Sequence, residues 1–151
     1  MDTSRLLPQA ILFACNYNAI RSPMAEGLMR LRFGKQVWVD SCGLRKGAGV
    51  DPFAVSVMEE LGVDLCKHRP KAFADLDDTS FSMIVTLTPE SHHRALEFTR
   101  TMAVDVEYWP TMDPSLAQGS RDQRLEEYRA VRDALEKRIA ARFQRPMSGA
   151  G

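Results

Sequence analysis

The sequence predicts an α/β fold, a three-layer sandwich in which a parallel sheet is covered by helices on both faces. Four short apolar, partly β-branched runs, Ala10–Cys15, Val37–Ser41, Met83–Leu87 and Val104–Tyr108, read as strands. Helical patterns separate them, so each strand reaches the next by a crossover, and right-handed crossovers leave few topologies. The helix starts carry local signals of their own, mostly a capping side chain followed by proline.

In chain order, the first run ends at Cys15. Ser22-Pro23 then opens a helix with Met24, Leu28 and Leu31 at helical spacing, and Gly34 stands where a left-handed C-cap would end it. After the second run, Asp51-Pro52 opens a helix with Phe53, Val57 and Leu61 on one face and Gly62 beyond. Thr88-Pro89 opens the next, through about Thr99. Ser120 to Gln123 has the capping-box pattern, and Leu125, Tyr128, Val131, Leu135, Ile139 and Phe143 form the stripe that packs this last helix on the sheet. There is no internal repeat, and only Pro146 to Gly151 reads as a frayed tail.

Bulk properties narrow the function. A chain of 151 residues suits a single domain, residues 1–151. Twenty basic and twenty acidic residues balance, which gives no broad footprint for nucleic acid or an anionic membrane. Met1 to Arg5 lacks the character of a signal peptide, and no apolar run approaches spanning length, so a soluble protein is expected. Three widely spaced cysteines fit neither a disulfide framework nor a zinc site and point to a reducing compartment, the cytoplasm.

Chemistry concentrates at residues 15–23. A cysteine ends a buried strand, an arginine follows six residues later, and a helix begins directly behind it. Cysteine-dependent phosphoryl transfer needs this order: a thiolate, a loop whose N–H groups converge on an anion, and a helix N-terminus. The spacing alone is weak; its place beyond the carboxyl end of a strand, where open α/β sheets bind ligands, gives it weight. Cys42 and Cys66 lack this context and read as small packing residues.

The residues from Cys15 to Arg21, then Ser22-Pro23 with Glu26, Asp40-Ser41 with Gly43, Gly62 to Asp64 with His68 downstream, and Asp113-Pro114 resemble the low-molecular-weight protein tyrosine phosphatases and the arsenate reductases that share their fold. The resemblance covers about residues 8–143. It implies a flavodoxin-like, phosphotyrosine phosphatase I-like sheet in the order 2-1-3-4. It also implies no metal and no cofactor, a monomer or weak homodimer, and hydrolysis of phosphomonoesters, phosphotyrosine in protein foremost, through a phosphocysteine. The expected partners are a phosphorylated protein or small aryl phosphate, and inorganic phosphate or related oxyanions.

Each matching residue has chemistry suited to that reaction. A thiol is mostly protonated at neutral pH, and a helix N-terminus, converging N–H groups and a cation favour the thiolate, so Cys15 is the candidate nucleophile. Arg21 offers a planar fork for two phosphate oxygens. Asn16, Tyr17, Asn18, Ala19, Ile20, Arg21 and Ser22 form the candidate phosphate loop. Ser22 has two readings, a helix cap and a hydroxyl donor to the sulfur. Asn18 is one of the few non-glycine types that tolerate the left-handed region. By the resemblance it ties the loop down with help from His68, which by itself reads as a surface histidine in a basic stretch. His92 and His93 read as solvated. Asp113 is the candidate general acid and later base, although Asp-Pro is also an ordinary turn.

Three departures from the family pattern matter. Tyr17 stands where the family has glycine, so a β-carbon would strain the loop if it needs an unusual backbone angle there. The aromatic walls of eukaryotic-type members are replaced by Ser115-Leu116 and by the short stretch 45–49; Trp109 is a possible wall or a packing residue against the last helix. Between Leu87 and Thr101 there is no cysteine for the thiol relay of thioredoxin-linked arsenate reductases. Arsenate reduction and non-catalytic anion or phosphoprotein binding are therefore the alternatives to phosphatase activity.

Overall fold

A computed structural model describes residues 6–144. The tail at Pro146 to Gly151 lies outside them. Four strands, β1 (Ala10–Cys15), β2 (Trp38–Gly43), β3 (Met83–Thr86) and β4 (Asp105–Tyr108), pair in parallel in the order β2-β1-β3-β4. Four α-helices alternate with them: α1 (Arg21–Phe33), α2 (Pro52–Glu59), α3 (Pro89–Phe98) and α4 (Arg121–Arg142).

The alternating pleat divides β1 between two cores. Ile11, Phe13 and Cys15 face α1, α2 and α4 through Met24, Leu28, Val57, Tyr128 and Ile139, whereas Ala10, Leu12 and Ala14 face Phe73, Ile84 and Ala95. Helices thus cover both faces, and β1 is buried along its whole length.

Local chemistry explains most helix boundaries. Asp51 accepts from Phe53 N and Ala54 N, Thr88 from Ser91 N, and Ser120 from Gln123 N. Gly62, at φ +77°, ends the α2 region, and the next N–H, of Val63, returns to Met58 O at 3.1 Å.

Several expectations are corrected. Gly34 is right-handed, at φ −61°; a β-carbon there would meet the Arg30 carbonyl oxygen at 2.5 Å, so close approach accounts for the glycine. Leu31 and Leu61 are exposed, because α1 buries Met24, Leu28 and Met29 and α2 ends before Leu61. Ser22 is not the cap of α1: the N-cap is Ile20, without a side-chain hydrogen bond, and Ser22 lies inside the first turn. His92 is half-buried, hydrogen-bonded through Nδ1 to Thr86 Oγ1 at 2.9 Å and stacked on Tyr108. Cys66 is exposed, so only Cys42 of the two remaining cysteines packs in the core.

Candidate active site

Cys15 ends β1, and the chain then curls through residues 16–20 before α1 begins. The curl is held from outside. The carbonyls of Cys15, Asn16, Tyr17 and Ala19 accept from the N–H groups of Leu44, Arg45, Gly47 and Asp51 at 3.1, 3.0, 3.0 and 2.9 Å. A trans peptide points its C=O and the following N–H in opposite directions. Turning these carbonyls outward therefore turns the N–H groups of Asn16, Tyr17, Asn18 and Ile20 inward, a concave set of donors suited to an anion. The N-terminus of α1 adds to it, since its first turn has no acidic residue and no side-chain cap.

Asn18 makes the turn possible. It has φ 56°, the single positive φ among the described non-glycine residues. Tyr17 keeps a negative φ, so the strain expected from replacing glycine is absent; its side chain stands at the rim, 57% exposed. Gly43 allows the close approach of β2: a β-carbon there would lie 2.7 Å from Asn18 N and 2.9 Å from the carbonyl oxygens of Asn16 and Arg45.

The fully buried Asn18 side chain directs a hydrogen-bond chain. Its Oδ1 accepts from Lys71 N at 3.0 Å and faces His68 Nε2 at 3.0 Å; the same Nε2 lies 3.2 Å from Asn18 O. Both partners of Nε2 are acceptors, so that nitrogen carries the proton. Asn18 Nδ2 then donates to Ser22 Oγ at 2.8 Å and to Ser41 Oγ at 2.9 Å, and Ser41 donates to Glu26 Oε1 at 2.5 Å. With a lone pair of Ser22 occupied, its proton is free to point to Cys15 Sγ at 2.9 Å or to Cys42 O at 3.3 Å. A hydroxyl that donates to sulfur favours the thiolate. Burial, together with the approach of Lys71, holds His68 below the ordinary imidazole range against the opposing pull of Glu26 and Asp40, so it is neutral at pH 7.

Arg21 and Asp113 meet at the mouth. Cys15, Tyr17, Ala19, Ile20, Arg21, Asp113 and Ser115 line one small pocket of about 120 Å³. Arg21 Nη1 donates to Thr111 O at 2.9 Å, which leaves the Nε–Nη2 edge with two parallel donors for an oxyanion. Asp113 Oδ1 accepts from Ser115 N at 2.9 Å and Ser115 Oγ at 2.6 Å, capping the short 3-10 turn Pro114–Leu116. Asp113 Oδ2 takes no part in this cap. The turn-start reading of Asp-Pro is seen, and the turn places the Asp113 carboxyl at the pocket.

Trp109 does not wall this pocket. It is buried against Phe13 and Phe143, with Arg138 over its ring. Sequence reasoning places Ser41 and Thr88 beside Cys15 at the carboxyl ends of the strands without giving them a role, and it does not single out Thr111. Thr88 Oγ1 donates to Asn16 Oδ1 at 2.8 Å and ties the loop to the start of α3. Thr111 acts through its carbonyl, for which a sequence holds no sign.

The chain matches the model of the low molecular weight phosphotyrosine protein phosphatase family over residues 10–145. It is 29% identical over 141 residues to an arsenate reductase of Halalkalibacterium halodurans, covering 87% of this chain and 92% of that one. It is 31% identical over 131 residues to an arsenate reductase of Shouchella clausii, covering 85% and 91%. Among solved structures, a low molecular weight protein tyrosine phosphatase from T. tengcongensis superposes with a TM-score of 0.70 at 26% identity, covering 87% of this chain and 95% of that one. An arsenate reductase in a phosphate-binding state gives 0.73 at 27%, covering 88% and 95%. With the match to the family model spanning nearly the whole chain, this protein belongs to the low molecular weight phosphotyrosine protein phosphatase family.

Proposed function

We propose that the protein hydrolyses phosphomonoesters, phosphotyrosine in protein foremost, with Cys15 as nucleophile. The observation that carries this is the convergence of Cys15, Arg21 and Asp113 on one pocket of about 120 Å³. The Cys15 thiolate attacks phosphorus in line with the ester oxygen while the N–H groups and Arg21 hold the equatorial oxygens. Asp113 gives its proton to the departing oxygen, leaving a phosphocysteine and a free alcohol. Asp113 then takes a proton from water as that water attacks phosphorus, and the Cys15 thiolate leaves with the Ser22 hydroxyl beside it.

Arsenate reduction is the second reading, favoured by the names of the two relatives described above. It needs two electrons from two thiols. Cys42 is buried on the opposite face of the sheet from Cys15, with its thiol pushed far up by burial, and Cys66 lies in the exposed loop before His68. This chain would therefore draw at least one thiol from an external donor.

The test is hydrolysis of p-nitrophenyl phosphate from pH 4 to 9 with EDTA, for wild type, Cys15→Ser and Asp113→Ala, beside arsenate reduction with thioredoxin or glutathione and glutaredoxin as donors. Turnover lost in Cys15→Ser, with Asp113→Ala slowing poor leaving groups far more than activated ones, supports the phosphatase. Arsenate turnover without ester hydrolysis overturns it. Equal slowing of both ester classes removes Asp113 from the acid role.

A further inference from the structure

Three concavities on the described surface share walls. The pocket that holds Cys15 is bounded by Asp113. Asp113 also bounds an open depression with Met112, Leu116 and Glu127. Met112 and Glu127 in turn form one end of a cavity of about 250 Å³ that reaches Arg138. They adjoin in a row, a segmented trough running from Cys15, past the Asp113 turn, to the outer face of α4.

The far half of the trough is built from a pattern in α4. Glu127, Ala130, Ala134 and Arg138 lie on one side of the helix, and the two alanines leave it recessed between Glu127 and Arg138, whose backbone positions are about 16 Å apart along the axis. Trp109 forms the opposite wall. Its indole is pinned by Nε1–H to Glu107 Oε1 at 3.1 Å and covered by the Arg138 guanidinium, 5.3 Å from the ring centre. Nearer the nucleophile, Met112 and Leu116 are 70% and 76% exposed on the rim. Glu126 is paired with Arg129, whereas Glu127 makes no ion pair among the described residues.

A free oxyanion uses none of this, since the small pocket alone holds it. An extended peptide advances about 3.3 Å per residue, so about five residues span the recess. We infer that the phosphoryl group arrives on an extended protein segment lying in this trough, with a large apolar side chain against the exposed Ala130 and Ala134 and a basic side chain over Glu127. The inference rests on the phosphatase reading of Cys15, which anchors the segment through its phosphoresidue. A lipid surface would call for a uniformly basic face, and here charges of opposite sign bracket an apolar recess.

The probe is a set of fluorescein-labelled peptides carrying one phosphotyrosine in an Ala/Ser background, with a single leucine moved through about two to seven residues on either side. Binding is read by anisotropy on the Cys15→Ser protein, with and without Ala134→Arg or Met112→Ser. The expected result is one leucine register that tightens binding about fivefold or more, from partial burial of the side chain. That gain disappears with Ala134→Arg, while Ala134→Arg on the wild-type background hydrolyses p-nitrophenyl phosphate as wild type does. No register adding more than about twofold, or a gain that survives both trough substitutions, overturns the inference. A leucine-dependent gain without ester hydrolysis by wild type leaves the trough standing and removes the catalytic reading. Ester hydrolysis with no register dependence does the reverse, and absence of both removes both.

Discussion

Arg21 Nη1 donates to the carbonyl oxygen of Thr111 at 2.9 Å, joining the start of α1 to the segment that leads into Asp113. The loop after Cys15 and the turn at Asp113, far apart in sequence, are thereby set against each other by a residue that lines the pocket between them. A lysine at this position keeps the charge but loses the planar fork, so it cannot serve the carbonyl and two oxyanion oxygens together. Arg21→Lys is therefore expected to lower kcat/KM on p-nitrophenyl phosphate by about 10²–10³-fold and to weaken inhibition by inorganic phosphate. Steady-state kinetics with phosphate as competitor checks this; intact phosphate inhibition with reduced kcat would place Arg21 outside ground-state binding.

Ser22 sits between Asn18 and the sulfur, at 2.8 Å from Nδ2 and 2.9 Å from Sγ. A hydrogen bond to a charged partner contributes about 1.5–3 kcal/mol. Ser22→Ala is expected to slow breakdown of the phosphocysteine by about 10–100-fold, with a smaller effect on its formation. A pre-steady-state burst of p-nitrophenol followed by a slowed steady rate would show it. A fall in both phases with no burst would assign Ser22 to holding the loop.

The sheet and most helix starts were legible because their signals are local: apolar runs, Asp51-Pro52, Thr88-Pro89 and the capping box at Ser120. The curl between Cys15 and Arg21 was legible through the asparagine suited to a left-handed turn. Contacts made by tertiary folding were not. His92 gave no sign of Thr86 on β3 or Tyr108 on β4, and the role of the 44–51 segment rests on backbone N–H groups that every residue but proline carries. Of the two readings of Ser22 the cap fails, because the N-cap is Ile20, two residues earlier, whereas the hydroxyl does lie against the sulfur.

Gly43 faces three backbone atoms of the active-site region, the nearest at 2.7 Å. None belongs to a flexible side chain that could move aside. Gly43→Ala should therefore displace the curl at Asn16–Asn18, costing about 1–3 kcal/mol of stability and most of the activity. Thermal unfolding with p-nitrophenyl phosphate kinetics measures both. Wild-type activity in the alanine variant would mean that the curl has room to shift without losing its N–H geometry.

His68 gives the fold a pH dependence of defined sign. Burial lowers its affinity for a proton in the native state, relative to an ordinary value near 6.5 in the unfolded chain. The unfolded state thus binds more protons between the two values, and stability rises with pH across that window. Above about pH 6.5 the contribution is fully present, and it is lost as pH falls through the lower native value. Protonation sets a charge beside the hydrogen bond that fixes Asn18, with Lys71 nearby adding repulsion and Glu26 and Asp40 offsetting part of it. On going from pH 7.5 to pH 5, wild type is expected to lose more melting temperature than His68→Gln, whose amide keeps a donor for Asn18 without titrating. Identical acid sensitivity in the two proteins would show that protonation of His68 is not linked to folding.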